Sequence, residues 1–108
     1  VLQRLVQACA GRGRFPIKFN GSLFPVEPKP TGGQPFDADW RRWGDCYWWQ
    51  NTRLPYYPML AQGDFDMQAP LFALYRATLP TAIARAKAWH GVDGAYWPET
   101  MTPFGTHA

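Results

Sequence analysis

In the opening stretch "VLQRLVQACAG", apolar residues fall at positions 1, 2, 5, 6, 8 and 9. They form one stripe of a helix, and Gly11 stands where such a helix stops. The spacing predicts an amphipathic helix over 1–10 that lacks its beginning. From 11 to 36 the periodicity disappears. Five glycines and five prolines (Pro16, Pro25, Pro28, Pro30 and Pro35) make this a long loop. Within it Ile17 and Phe19 alternate with Lys18 and Asn20, a short extended stretch leading into an "NGS" turn. A loop of this length in a small domain is functional or disordered, and the rings inside it favour an ordered one.

A second helical region is predicted over 37–62. Asp37 or Asp39 can cap it, "WRRWGDCYWWQNT" carries it, and Pro55 and Pro58 interrupt it before "YYPMLAQG" ends at Gly63. A third is predicted over 64–90, capped by Asp64 or Asp66. Leu71, Leu74, Tyr75, Leu79, Ile83 and Ala86 lie on one face, and Pro80 kinks or breaks it. The remaining 91–108 are turn-rich and aromatic. The fold class is therefore mainly α: antiparallel helical hairpins with long ordered loops. No strand system of any size is expected.

The chain has 108 residues, enough for one domain and a modest core. Hydrophobic residues make up 46%, so the chain can collapse. Aromatic residues reach 17%, with six tryptophans, more rings than a small core needs. The formal charge is +3, but the basic residues are scattered and form no run beyond Arg41-Arg42. This argues against a nucleic-acid partner. No apolar stretch reaches spanning length, so no membrane partner is expected, and the N-terminus does not read as a signal peptide. Cys9 and Cys46, with His90 and His107, make no metal-binding spacing. Neither a metal nor another cofactor is expected. The two thiols read as reduced and partly buried, with a disulfide as the alternative.

The candidate chemistry concentrates in "WWQNTRLPYYP" and "AYWPETM". Trp40, Trp43 and Tyr47 fall at helical spacing and read as core. Trp48 and Trp49 leave rings on the other side of the same predicted helix, where they line a pocket or a fully buried surface. Sugars present C–H faces that stack on such rings while their hydroxyls meet amides and charged groups. Gln50 and Asn51 fit that role, or satisfy backbone groups where Pro55 breaks the helix. Arg53 holds a carboxylate or stacks on a ring. Glu99, between Trp97 and Pro98, is an acid against aromatic walls. Loss of hydration there favours the protonated form that a general acid needs. The alternative for Glu99 is a cap on a last helical turn near Pro98. Asp45 is a second candidate carboxylate, or the partner of Arg41, Arg42 or Lys18.

Four segments, "FPIKFNGSLF", "DADWRRWGDCYWWQNTRLPYYPMLAQGDFD", "PLFALYRATLP" and "GAYWPETM", together resemble a central part of the (α/α)6-barrel catalytic domain of bacterial glycosidase-like proteins. Glycoside hydrolase family 95 and its neighbours are the characterised relatives that this resembles. Their helix pattern N-x-N-x-E-x-N-Y-W-P is matched by "WQNTRLPYYP", with Asn51 on the second Asn and Tyr56-Tyr57-Pro58 on Y-W-P. Trp49 replaces the first Asn, Arg53 the Glu and Pro55 the third Asn. The resemblance implies an inverting glycoside hydrolase acting on plant or bacterial saccharides. In it an acid and a base stand about 6.5–9.5 Å apart with a water between them. Glu99 would be the acid, Asp45 or a carboxylate outside this piece the base, and Asn51 would orient the water. Trp48, Trp49, Tyr56 and Trp97 would form the stacking walls, with Gln50 and Arg53 on substrate hydroxyls. A full barrel has twelve helices. The implied partner is therefore the remainder of a longer chain, or copies of this one in a homo-oligomer. The alternative is a non-catalytic carbohydrate-binding or self-associating helical unit.

Overall fold

The computed structural model describes residues 2–18 and 46–108. These are mainly helical. Helix α1 spans Leu2–Gly11, a two-residue strand β1 Tyr47–Trp48, α2 Trp49–Thr52 and α3 Tyr57–Gln62. A 3-10 turn at Phe65–Gln68 leads into α4 (Ala69–Ala77) and α5 (Leu79–His90), and β2 is Thr100–Met101. Among the described residues the helices close no barrel. Trp40, Trp43, Asp45, Phe19 and the "NGS" turn lie outside the described residues.

The helix stops are where glycine placed them. Gly63 ends α3 at φ 73° and Gly91 ends α5 at φ 68°, left-handed geometry that a Cβ disfavours. The break near Pro80 falls at Thr78, where φ is −94° and ψ is 0°. Proline has no N–H to give to an intrahelical bond, so it sits in the first turn of a new helix rather than inside an old one. The break resets the helical phase. Leu71, Leu74 and Ala86 are buried as expected, but beyond the break Ala82 is buried while Ile83 is 49% exposed.

Three expectations are corrected. Tyr47 and Trp48 are not helical: they pair antiparallel with Met101 and Thr100. The helical spacing of the rings is real, but a strand partner distant in sequence takes the backbone hydrogen bonds instead. Asp64 makes no side-chain capping bond, and neither aspartate caps α4, whose N-cap is Gln68. Asp64 instead takes two hydrogen bonds from Arg4 Nε, at 3.1 and 2.9 Å, and a third from the same guanidinium. Asp66 takes one from Arg12 Nε at 2.8 Å, which holds its carboxyl below the ordinary carboxylate range. Finally, α1 docks through only part of its apolar stripe: Ala8 packs on the core while Leu2 and Leu5 are exposed. Arg4, and the buried Gln7 whose amide donates to the Pro55 carbonyl at 3.3 Å, also attach it. Gly11 allows the closest approach there: a Cβ would lie 3.0 Å from Ile17 Cδ1.

Two apolar clusters result. One holds Ile17, Tyr56, Met59, Met67 and Leu71, and the other Tyr47, Leu74 and Met101. Tyr75 packs against both, and Trp97 against the second. Cys9 is exposed, Cys46 is buried, and both are thiols.

Candidate functional site

The β1–β2 ladder decides where the chemistry gathers. Past Trp48↔Thr100 the two strands stay together, and Trp49 N–H donates to the Glu99 carbonyl at 2.9 Å. One residue on, Gln50 N–H donates to Glu99 Oε1 at 3.1 Å. Trp48 precedes α2 and gives it no side-chain cap. Glu99 supplies the acceptor from across the sheet, and its negative charge suits the positive end of α2. The capping role is therefore real, but it serves a distant helix rather than a local turn near Pro98.

Around this junction lies a cleft of about 420 Å³ lined by Trp49, Tyr75, Tyr96, Trp97, Glu99 and the small residues Ala95 and Pro98. Its rings meet edge to face. Trp49 and Tyr75 have centroids 5.4 Å apart at 73°, and Tyr75 and Trp97 5.6 Å apart at 61°. Trp49 is 41% exposed at the rim. Tyr75 is half-buried between the two indoles. Burial, and then the negative charge of Glu99, push its hydroxyl up to about 12.

The helix break holds one wall. Thr78 Oγ1 donates to the Leu74 carbonyl at 3.0 Å and accepts the Trp97 indole N–H at 3.0 Å. A hydroxyl bonded back to its own helix suits a residue at a break. Gly105 packs on this threonine, so close that a Cβ would lie 2.7 Å from Thr78 Cβ. Arg85 braces the same wall, donating to the Tyr96 carbonyl at 3.1 Å and the Gly105 carbonyl at 2.7 Å. Tyr96 N–H donates to the Ala82 carbonyl at 3.0 Å.

Of the residues expected at a site, the structure brings Trp49, Trp97 and Glu99 together. Glu99 is exposed, so the loss of hydration expected of it does not occur. Gln50 reaches Glu99 only through its backbone, and Asn51 is half-buried in α2 without lining the cleft. Arg53 stacks over the Tyr57 ring at 6.0 Å and donates to the Gln50 carbonyl at 3.0 Å. Trp48 is held in β1. Tyr56 is 5% exposed in the first cluster, where its hydroxyl accepts Ile17 N–H at 2.7 Å, so it forms no wall. Asp45 lies outside the described residues. Tyr75 and Tyr96 were missed. Tyr75 looked like any apolar position of a helix face, whereas Tyr96 stood beside Trp97 in an aromatic loop and was the readable one. Among the described residues no group of three or more His, Cys, Asp or Glu side chains is placed to hold a metal. No described helix is long and apolar enough to cross a membrane. Compared with protein-family models, curated proteins and solved structures, the chain matches none.

Proposed function

We propose that this cleft binds a neutral saccharide and that the reaction it fits is glycoside hydrolysis. The observation that carries the proposal is the meeting of Trp49, Tyr75 and Trp97 with one carboxylate, Glu99, around a single open cleft. Rings offer their faces to sugar C–H groups, and the carboxylate takes the hydroxyl hydrogens. The cleft also lies in the size range of small-ligand sites, about 300–1,000 Å³. Glu99 Oε1 is held by Gln50 N–H, which fixes the carboxyl and leaves Oε2 for a ligand oxygen. As general acid, Glu99 would have to carry a proton on Oε2 and give it to the glycosidic oxygen as that oxygen's bond to the anomeric carbon breaks. A second carboxylate would take a proton from the water attacking the opposite face.

A specific observation favours the non-catalytic alternative: among the described residues Glu99 is the only carboxylate lining the cleft. Hydrolysis therefore needs Asp45 or a group from a partner copy or a longer chain. One experiment separates the two readings. Saccharide binding by calorimetry and hydrolysis of nitrophenyl glycosides are measured for wild type, Trp49→Ala and Glu99→Gln. Binding lost in Trp49→Ala, with turnover lost but binding kept in Glu99→Gln, establishes a hydrolase. Binding without turnover in the wild type leaves a binding site. Unchanged binding in Trp49→Ala removes the cleft from both.

A further inference from the structure

Tyr96 belongs to two groups of rings. On one side it lines the cleft beside Trp97. On the other its ring meets His90 edge to face, with centroids 5.4 Å apart at 86°, and Trp89 at 5.9 Å and 49°. Trp89 is 61% exposed and Tyr96 37%. An indole so open gives little to the core, since the hydrophobic contribution follows the area removed from water. Yet this one is held in place. Arg85 Cζ lies 5.7 Å over the Trp89 ring, and the guanidinium is fixed by the Tyr96 and Gly105 carbonyls.

The cations nearest these rings are already engaged, which favours an uncharged ligand over an anion. Helix α5 carries two cationic residues of fixed charge, Arg85 and Lys87. Arg85 is committed to two carbonyls, and Lys87 Nζ lies 3.2 Å from Asp93. Glu99 adds negative charge in the adjoining cleft. What is offered is a ring face, an imidazole edge and a neighbouring carboxylate, which together suit an uncharged polyhydroxylated chain.

We infer that Trp89, Tyr96 and His90 form a second stacking subsite continuous with the cleft, so that the site takes an oligosaccharide rather than a single sugar. The inference rests on the saccharide reading of the cleft. Trp89 would stack on a sugar unit beyond the one held by Trp49 and Glu99, Tyr96 would stand between the two units, and His90 would meet the outer unit's hydroxyls.

The test is calorimetric titration of wild type and Trp89→Ala with monosaccharides and pentasaccharides of neutral gluco-, xylo-, galacto- and fuco-series. Trp89 is exposed, so its loss should leave the fold intact, which circular dichroism checks. The expected result is at least tenfold tighter binding of the pentasaccharide in the best series. That advantage should be lost in Trp89→Ala while monosaccharide affinity stays unchanged. Equal affinity for both lengths in the wild type overturns the subsite and leaves the cleft reading standing. So does a Trp89→Ala variant that keeps the length advantage, as it would if Trp89 instead packs against further chain. No binding of any series at either length overturns both.

Discussion

Tyr56 and Tyr75 have hydroxyls pushed up to the same level, about 12, in two regions with opposite purposes. Tyr56 is sealed in the cluster of Ile17, Met59, Met67 and Leu71, and burial raises it while the Ile17 N–H pulls the other way. Tyr75 stands half-buried under an open cleft, raised by burial and by the charge of Glu99. One hydroxyl completes a hydrogen bond inside a closed core. Among the described residues, the other has neither such a bond nor such a lid. The comparison teaches that a shifted tyrosine does not by itself mark a site. What marks the cleft is the combination of a shift, a charge that helps to cause it and rings left open to solvent.

The comparison can be pressed hardest at the core. Met59 is fully buried. Met59→Ala should lower stability by ~2–5 kcal/mol in urea unfolding, because the cavity cannot fully collapse. Trp49→Ala, at the cleft rim, should cost far less. If the two variants unfold alike, the cleft is core and the division drawn here fails.

A finer cut exchanges each tyrosine for phenylalanine. Tyr56→Phe leaves the buried Ile17 N–H without its acceptor and should cost about 1–3 kcal/mol. Tyr75→Phe removes a hydroxyl with no hydrogen bond among the described residues and should stay within about 0.5 kcal/mol of wild type. Equal losses would break the distinction.

The smallest effect is read by pH. Both hydroxyls are raised in the folded state, from an ordinary value near 10 to about 12. The folded state thus holds protons that the unfolded chain has released. Their stabilising contribution is complete below pH 10 and is lost as pH rises toward 12. Melting temperatures recorded across that window should fall in the wild type, and fall less steeply in either Phe variant. A flat profile would contradict the burial assigned to both rings.

Some of this was legible in the sequence. Gly63, Gly91 and the break near Pro80 are local chemistry, and local chemistry can be read along a chain. So could the gathering of rings and Glu99 in short motifs. The strand at Tyr47–Trp48 could not, because the partner that makes it a strand, Thr100–Met101, lies far along the chain. The roles of Asp64 and Asp66 were hidden for the same reason. Each sits where a cap belongs, yet Arg4 and Arg12 reach it from the other end of the chain. Tyr56 was misplaced because its motif neighbours, Arg53 and Tyr57, face solvent while it turns inward to meet Ile17. Within one short segment, orientation is set by contacts that the segment does not contain.

The brace made by Arg85 across the Tyr96 and Gly105 carbonyls has a consequence for timing. It is a link between backbone segments, completed when the chain folds, so the conformational entropy of ordering that wall is lost before any ligand arrives. A ligand then meets a surface already set and need only shed its own water.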